Sequence, residues 1–359
     1  MAQKERESNL ELLRVILMFT IVAHHSVVNS GILELTNFAD DCIKTLFLQI
    51  WGMWGKTAIN VFVLITGYYM CKSQITLKKF LKLLLEVLFY NFVILTIFIC
   101  TGNDMITFKT IFKDFFAVFC GINVGFTASY LFFYLCIPYL NILLKNINKK
   151  QHIKIILLML LIYTIPATFF FNSSAYTYIG WFTELYFIGS YIRMYPNDLT
   201  ESYVKGRKWF LISVVISVAS IVVLDILNNI LNIEFPVYHF LADSNKILAL
   251  IVGIFAFLTF KNLKMKNSKF INGISATTFG ILLIHSNSMT MINWLWHDFL
   301  DIKSKYYWGT LKLVIYMIFI TVLVFVVCSI LDYIRIKVLE KPFFKMLDSV
   351  TSNRKVEKV

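Results

Sequence analysis

Apolar residues in this chain neither alternate with polar ones nor recur as stripes. They come in continuous runs, most of them roughly 17–22 residues long, separated by short polar and basic stretches. A run of about 20 apolar residues crosses a hydrocarbon core about 30 Å thick as a helix. The pattern predicts an all-α, polytopic transmembrane helical bundle of about ten spans, near 12–30, 57–72, 82–101, 128–145, 153–171, 182–195, 209–228, 245–260, 271–291 and 310–331. Membrane β-strands would read as segments of about 10 residues with strict alternation, and the run from Leu81 to Cys100 does not alternate. The stretch 113–127 is apolar but interrupted by Gly121, Asn123 and Gly125, and reads as a re-entrant or interfacial element. Residues 42–55, with Trp51 and Trp54, read as an interfacial segment leading into the second span. Residues 1–345 form one membrane domain with no internal repeat. Residues 346–359 are expected to be a polar, disordered cytoplasmic tail.

Composition excludes the soluble alternatives that 359 residues would allow. The chain is 58% hydrophobic and 15% charged, with a mean hydropathy of +0.71. Soluble domains lie nearer about 45–50% and about 25%. The net charge of +13 does not indicate nucleic acid, because the basic residues are dispersed in clusters between apolar runs. With the N-terminus in the cytoplasm, about three quarters of the 34 basic residues fall on inner segments, as the positive-inside rule requires. Both termini are then cytoplasmic. The outer segments keep Lys44, Lys56, Lys109, Lys113, Lys246, Lys303, Lys305 and Lys312. The first run is followed by no small-residue cleavage site and reads as a retained span. The six cysteines, Cys42, Cys71, Cys100, Cys120, Cys136 and Cys328, form no CxxC pair. They read as unpaired thiols, and no metal is expected.

Ionisable groups inside spans are costly, so each is a candidate for function. Arg14 and His25 lie eleven residues apart in span one, close to three helical turns, on nearly one face and roughly 16 Å apart along the axis. An Arg near the inner face suits a phosphate-bearing ligand. A deeper His suits proton transfer near neutral pH. His24 points about 80° away and reads as a packing neighbour. His285, in Gly280-Ile-Leu-Leu-Ile-His285, is a second candidate, against a hydrogen-bonded core His. Glu184, opening span six, could share the depth of His25 and orient it, or face water. Glu86 lies one turn after Lys82 and reads as half of an interfacial ion pair. Asp225 reads as solvated at the outer end of span seven. Asn60 and Gly67 could line a cavity or pack helices. His152, His239 and His297 fall in loops and receive no role. Lys78, Lys79 and Lys82 follow span two on the inner side. Three cations within five residues suit a polyanion, or simply obey the positive-inside rule.

Four segments together resemble the acyltransferase family 3 proteins, the membrane-bound O-acyltransferases of bacterial surface glycans. Glu11-Leu-Leu-Arg14, ten residues and His25 match that family's R-x10-H signature. Asn60-Val-Phe-Val-Leu-Ile-Thr-Gly67-Tyr68 is similar to its "FFVLSGF" segment, with Thr66 in place of Ser. Gly280 to His285 and Leu339-Glu340-Lys341-Pro342-Phe343 resemble its late-span and "ErPf" motifs. Lys79 and Lys82 stand where the family often has R-x-x-R, keeping charge but losing the bidentate fork. The resemblance runs from the first span to near residue 345. It implies an O-acetyltransferase of the bacterial plasma membrane that acts without an appended SGNH-type hydrolase domain. Acetyl-CoA is the implied co-substrate, and the implied acceptor is a hydroxyl of a capsular, exopolysaccharide or other cell-envelope glycan, polymeric or lipid-linked. On that reading His25 is base or acyl carrier, Arg14 with Lys78, Lys79 and Lys82 holds the CoA phosphates, and Glu184 and His285 assist. A polytopic transporter or flippase of a glycan or small molecule would share the helices and buried polar residues.

Overall fold

The computed structural model describes residues 7–102, 107–120, 125–170 and 176–356, and all regular structure among them is helical. In chain order the helices are α1 (Ser8–Val28), α2 (Cys42–Gly52), α3 (Gly55–Met70), α4 (Leu77–Cys100), α5 (Phe108–Phe115), α6 (Ala117–Cys120), α7 (Phe126–Asn146), α8 (Lys149–Phe169), α9 (Tyr178–Met194), α10 (Tyr203–Leu231), α11 (Ile247–Lys261), α12 (Lys269–Ser275), α13 (Thr278–His285), α14 (Met289–Asn293), α15 (Thr310–Arg335) and α16 (Lys341–Val356). Polar side chains cap many of the starts. Thr76, Thr177, Ser202 and Ser268 each accept from a backbone N–H of the first turn, and Asn148 with Gln151 forms a reciprocal capping box.

Among the described residues, seven helical segments are long and apolar enough to cross a membrane: α1, α2 with α3, α4, α7, α8, α10, and α15 onward to Ser349. The chain is thus a multi-pass membrane protein. Helix α11 is apolar but has 15 residues, and α9 has 17. The stretch expected as a ninth continuous span is broken into α12, α13 and α14. The breaks fall at Ala276–Thr277 and Ser286–Ser288, where Ser and Thr side chains offer the backbone local alternatives to helix. Irregular backbone at membrane depth survives where it lines a cavity rather than lipid.

The outer faces of α10 and α15 carry exposed apolar rows, including Leu211, Val215 and Val223 on one and Ile315, Phe319 and Val326 on the other. These rows suit contact with lipid tails. Inside, Trp181, Phe182 and Tyr186 of α9 are fully buried with Leu64 and Ile65 of α3 and Phe133 of α7. The closeness of α3 and α9 depends on Gly67, where an added Cβ would come 2.8 Å from the carbonyl oxygen of Tyr186. Asn60 ties the same seam. It donates to the Ser244 carbonyl at 2.7 Å and accepts from the Trp181 indole at 2.9 Å.

Several sequence expectations differ from the structure. Residues 42–52 are a helix packed on α1 and α10, with Leu48 and Gln49 buried. Asp225 is therefore not solvated. It is buried beneath α2, where its carboxylate accepts from the Gln49 amide at 3.1 Å. His152 is not a loop residue but lies in the first turn of α8, while His239 sits in a turn as expected. Both are buried, and each donates from Nε2 to a carbonyl, of Phe187 at 2.9 Å and of Thr168 at 2.8 Å. Glu86 does not pair with Lys82. Its partner is Arg335, at 2.9 Å from Nη2, while Lys82 pairs with Glu340 at 2.7 Å. The expected disordered tail is helical through Val356, and Asp348 of α16 pairs with Lys78 at 2.6 Å. In the stretch expected to be re-entrant, α5 and α6 are short helices, and Gly121 and Asn123 lie outside the described residues.

Candidate active site

Helix α1 places Arg14, Met18, Ile21 and His25 at helical spacing on one face, and that face forms one wall of a cavity of about 1000 Å³. The other walls come from α3, α4, α5, α6, the first turns of α7, and the broken stretch α12–α14. Helix α1 runs antiparallel to α15. Its start packs with α12, and Thr310 at the start of α15 donates to Asp41, beyond the end of α1. Helix α4 begins beside Arg335 and Glu340, at the Arg14 end. The cavity thus reaches from Arg14 and Lys82 to His25, a distance of about 16 Å along α1.

At the Arg14 end, the Glu11-x-x-Arg14 spacing gives an intrahelical pair at 3.2 Å. Glu11 is itself fixed from a second element, because the Ser275 hydroxyl at the end of α12 donates to it. The guanidinium remains about a third exposed, enough to meet a ligand from the cavity. Lys82 shares this end and is held by Glu340. Lys78 and Lys79 do not line the cavity. Lys78 is on Asp348, and Lys79 donates to the Gln74 carbonyl at 3.0 Å.

A connected ion cluster backs this end. Arg335, almost fully buried, meets Asp332 at 2.6 Å, Glu86 at 2.9 Å and Glu340 at 3.0 Å, and the Tyr90 hydroxyl donates to Asp332 at 2.8 Å. This explains two of the sequence motifs physically. Glu340 of the Leu339–Phe343 segment bridges Lys82 and Arg335. Gly280 of α13 has no side chain because the Asp332 carboxylate packs directly against it.

At the other end, His25 Nδ1 lies 2.9 Å from His285 Nε2. His285 Nδ1 lies 2.6 Å from the Ile281 carbonyl, which can only accept. With both rings neutral, the protons are assigned from this network: Nδ1–H of His285 donates to Ile281, and Nδ1–H of His25 donates to His285 Nε2. The ring lines the cavity, and the nitrogen left without a hydrogen-bond partner among the described residues is His25 Nε2, whose lone pair can take a proton. His24 lines the same end but is committed to the Gly52 carbonyl. Sequence reasoning offered Glu184 as the group orienting His25, and that position belongs to His285. Glu184 is fully buried on α9 and is not part of the cavity wall, and its carboxyl oxygens have no hydrogen-bond partner among the described residues. The sequence also missed Asn91 and Asn287, which bond at 3.1 Å across the cavity wall. The one visible signal of Asn91 was an amide standing alone within an apolar run, whereas Asn287 lies in the polar stretch His285-Ser-Asn287-Ser.

His285 touches His25 and is not part of the cavity wall, so its test must separate positioning from binding. His285→Phe keeps a ring but removes the acceptor that fixes the His25 tautomer. We expect kcat to fall about a hundredfold with the donor KM nearly unchanged, read by steady-state kinetics. An unchanged kcat would remove His285 from the site.

The fold and this cavity define an integral membrane protein with a large internal cavity whose wall carries His25, bonded to His285 behind it. Comparison with protein families then gives the affiliation: the acyltransferase domain model matches residues 7–333, and the chain belongs to acyltransferase family 3, the membrane acyltransferases. Comparison with curated proteins and with solved structures gave no match.

Proposed function

We propose that the protein is an O-acetyltransferase of the bacterial plasma membrane that moves the acetyl group of acetyl-CoA to a hydroxyl of a cell-surface glycan, polymeric or lipid-linked. The observation that carries this reading is one continuous cavity joining a cationic end, Arg14 and Lys82, to the free Nε2 of His25. Ten crossings with both termini in the cytoplasm would put the Arg14 end inside, facing soluble donor, and the His25 end outside, facing the glycan. The CoA phosphates would meet Arg14 and Lys82, and the pantetheine arm would run along α1 past Met18 and Ile21.

In the transfer step His25 Nε2 takes the proton of the acceptor hydroxyl as its oxygen adds to the thioester carbonyl carbon. The adduct collapses with cleavage of the C–S bond. His25 returns the proton to the sulfur, so the products are an O-acetyl ester and free CoA thiol. Acid trapping of an acetyl group on His25 would replace this single transfer by two.

The reading is tested in a deletion strain by measuring base-labile acetate on the surface glycan, together with thiol release by the purified protein. Wild type should restore the acetate and release CoA. Transport without thiol release would establish the flippase alternative. The donor end has its own test. Arg14→Gln should raise the KM for acetyl-CoA at least about tenfold, the loss of one charge-assisted contact, with kcat falling less. An unchanged donor KM would remove the phosphates from Arg14.

A further inference from the structure

Outer segments of membrane proteins are poor in Lys and Arg, so cations that gather there need another cause. Three of the outer lysines gather on the cavity wall: Lys56 in the first turn of α3, and Lys109 and Lys113 on α5. Their end of the cavity is the His25 end. Helix α4 starts beside Glu340, runs the length of the cavity and delivers α5 at its far side, while Lys56 adjoins Gly55, against which His24 packs.

On the cavity wall, the charge at this end is of one sign among the described residues. Glu86 is the only carboxylate among the described lining residues, and it sits at the opposite end with Arg335. Lys56 faces Asp243 at 3.6 Å, a pair whose carboxylate is half exposed. The other ion pairs of this end are Lys44–Asp41, Lys303–Glu34 and Lys305–Asp301, and none involves Lys109 or Lys113. Lys109 and Lys113 are spaced i,i+4, so their charges stand on one helix face and repel each other. Folding alone gains nothing from that arrangement, whereas a bound anion would. A cleft lined by one sign of charge also concentrates ligands of the other sign. The same wall carries Asn91, Asn287, Ser288 and Thr110, groups suited to sugar hydroxyls.

We infer that the acceptor is an anionic glycan, one bearing phosphodiester or carboxylate groups, and that Lys56, Lys109 and Lys113 hold those groups so that a neighbouring hydroxyl meets His25. This rests on the acetyltransfer reading and specifies its acceptor. The repeating charge supplies the register: a lysine clamp on one residue of the polymer presents the hydroxyl of the next.

The test measures binding to the full-length protein in nanodiscs of three fluorescent oligomers of equal length: glycerol phosphate, galacturonate and neutral dextran. Acetyl-CoA binding is measured on the same samples. The anionic oligomers should bind at least about tenfold more tightly than dextran, with an advantage that shrinks as salt rises. The two anionic arms tell phosphate from carboxylate. The triple variant Lys56→Gln, Lys109→Gln, Lys113→Gln should lose the preference and keep acetyl-CoA binding, which reports that it is folded. Lys303→Gln, at the same end but off the wall, should keep both. Equal binding of dextran, or a preference that survives the triple variant, would overturn the inference. Failure of the wild type to bind acetyl-CoA would instead strike the acetyltransfer reading, a result visible apart from the comparison of glycans.

Discussion

His25→Ala, present in the membrane at the wild-type level, should transfer acetyl groups about a thousandfold more slowly. A positioned general base supplies roughly 10²–10⁴ of rate. Its neighbours are poorly placed to replace it, since His24 is committed to Gly52 and His285, whose Nε2 loses its partner in this variant, is not part of the cavity wall. The KM for acetyl-CoA should stay within about twofold, because the cationic end of the cavity lies about 16 Å away along α1. Kinetics on purified protein with radiolabelled acetyl-CoA measures both constants. A cavity of about 1000 Å³ also admits small bases, so added imidazole should restore part of the lost rate to the alanine variant. Activity within tenfold of wild type would take the proton-transfer role away from His25.

The helices were legible because a bilayer-length apolar run has few other readings, and Arg14 and His25 were legible because helical periodicity places both on one face. What escaped the sequence was pairing across long chain separations. Glu86 has Lys82 one turn away, so a local reading joins them. The fold brings Arg335 from the far end of α15 to Glu86, and Lys82 pairs with Glu340 instead. Asp225 was read as solvated because its own helix ends nearby, and nothing local says that α2 will lie over it. Glu184 was the candidate offered for orienting His25, and His285 stood beside it as a second candidate site residue. Which of them faces α1 depends on the packing of α9 against α3 and of α13 against α1. The breaks on either side of α13 were hidden for a related reason. Ser and Thr are tolerated inside apolar helices, and only the adjoining cavity makes their irregular backbone favourable.

Replacing Arg335 by Leu should be among the most destabilising single changes in the chain. The guanidinium is the common partner of Glu86, Asp332 and Glu340, and all four side chains are less than a tenth exposed. Without it, three buried carboxylates keep only Lys82 and the Tyr90 hydroxyl. Breaking a buried pair by removing one partner costs about 3–5 kcal/mol, because buried charge is left without its main counter-ion. In detergent this should appear as an unfolding midpoint lower by about 10 °C and as a reduced monodisperse fraction. Lys78→Ala supplies the contrast. Its pair with Asp348 is roughly half exposed on both sides, so the loss should stay within about 1 kcal/mol. If uncompensated charge is the cause, adding Glu86→Gln and Asp332→Asn to the Arg335→Leu background should recover part of the midpoint, although more native contacts have been removed. A midpoint that falls further with those neutral substitutions would mean that the cluster stabilises through its hydrogen-bond geometry rather than its charge balance. An Arg335→Leu midpoint equal to wild type would mean that the cluster does not hold α4 to α15 at all.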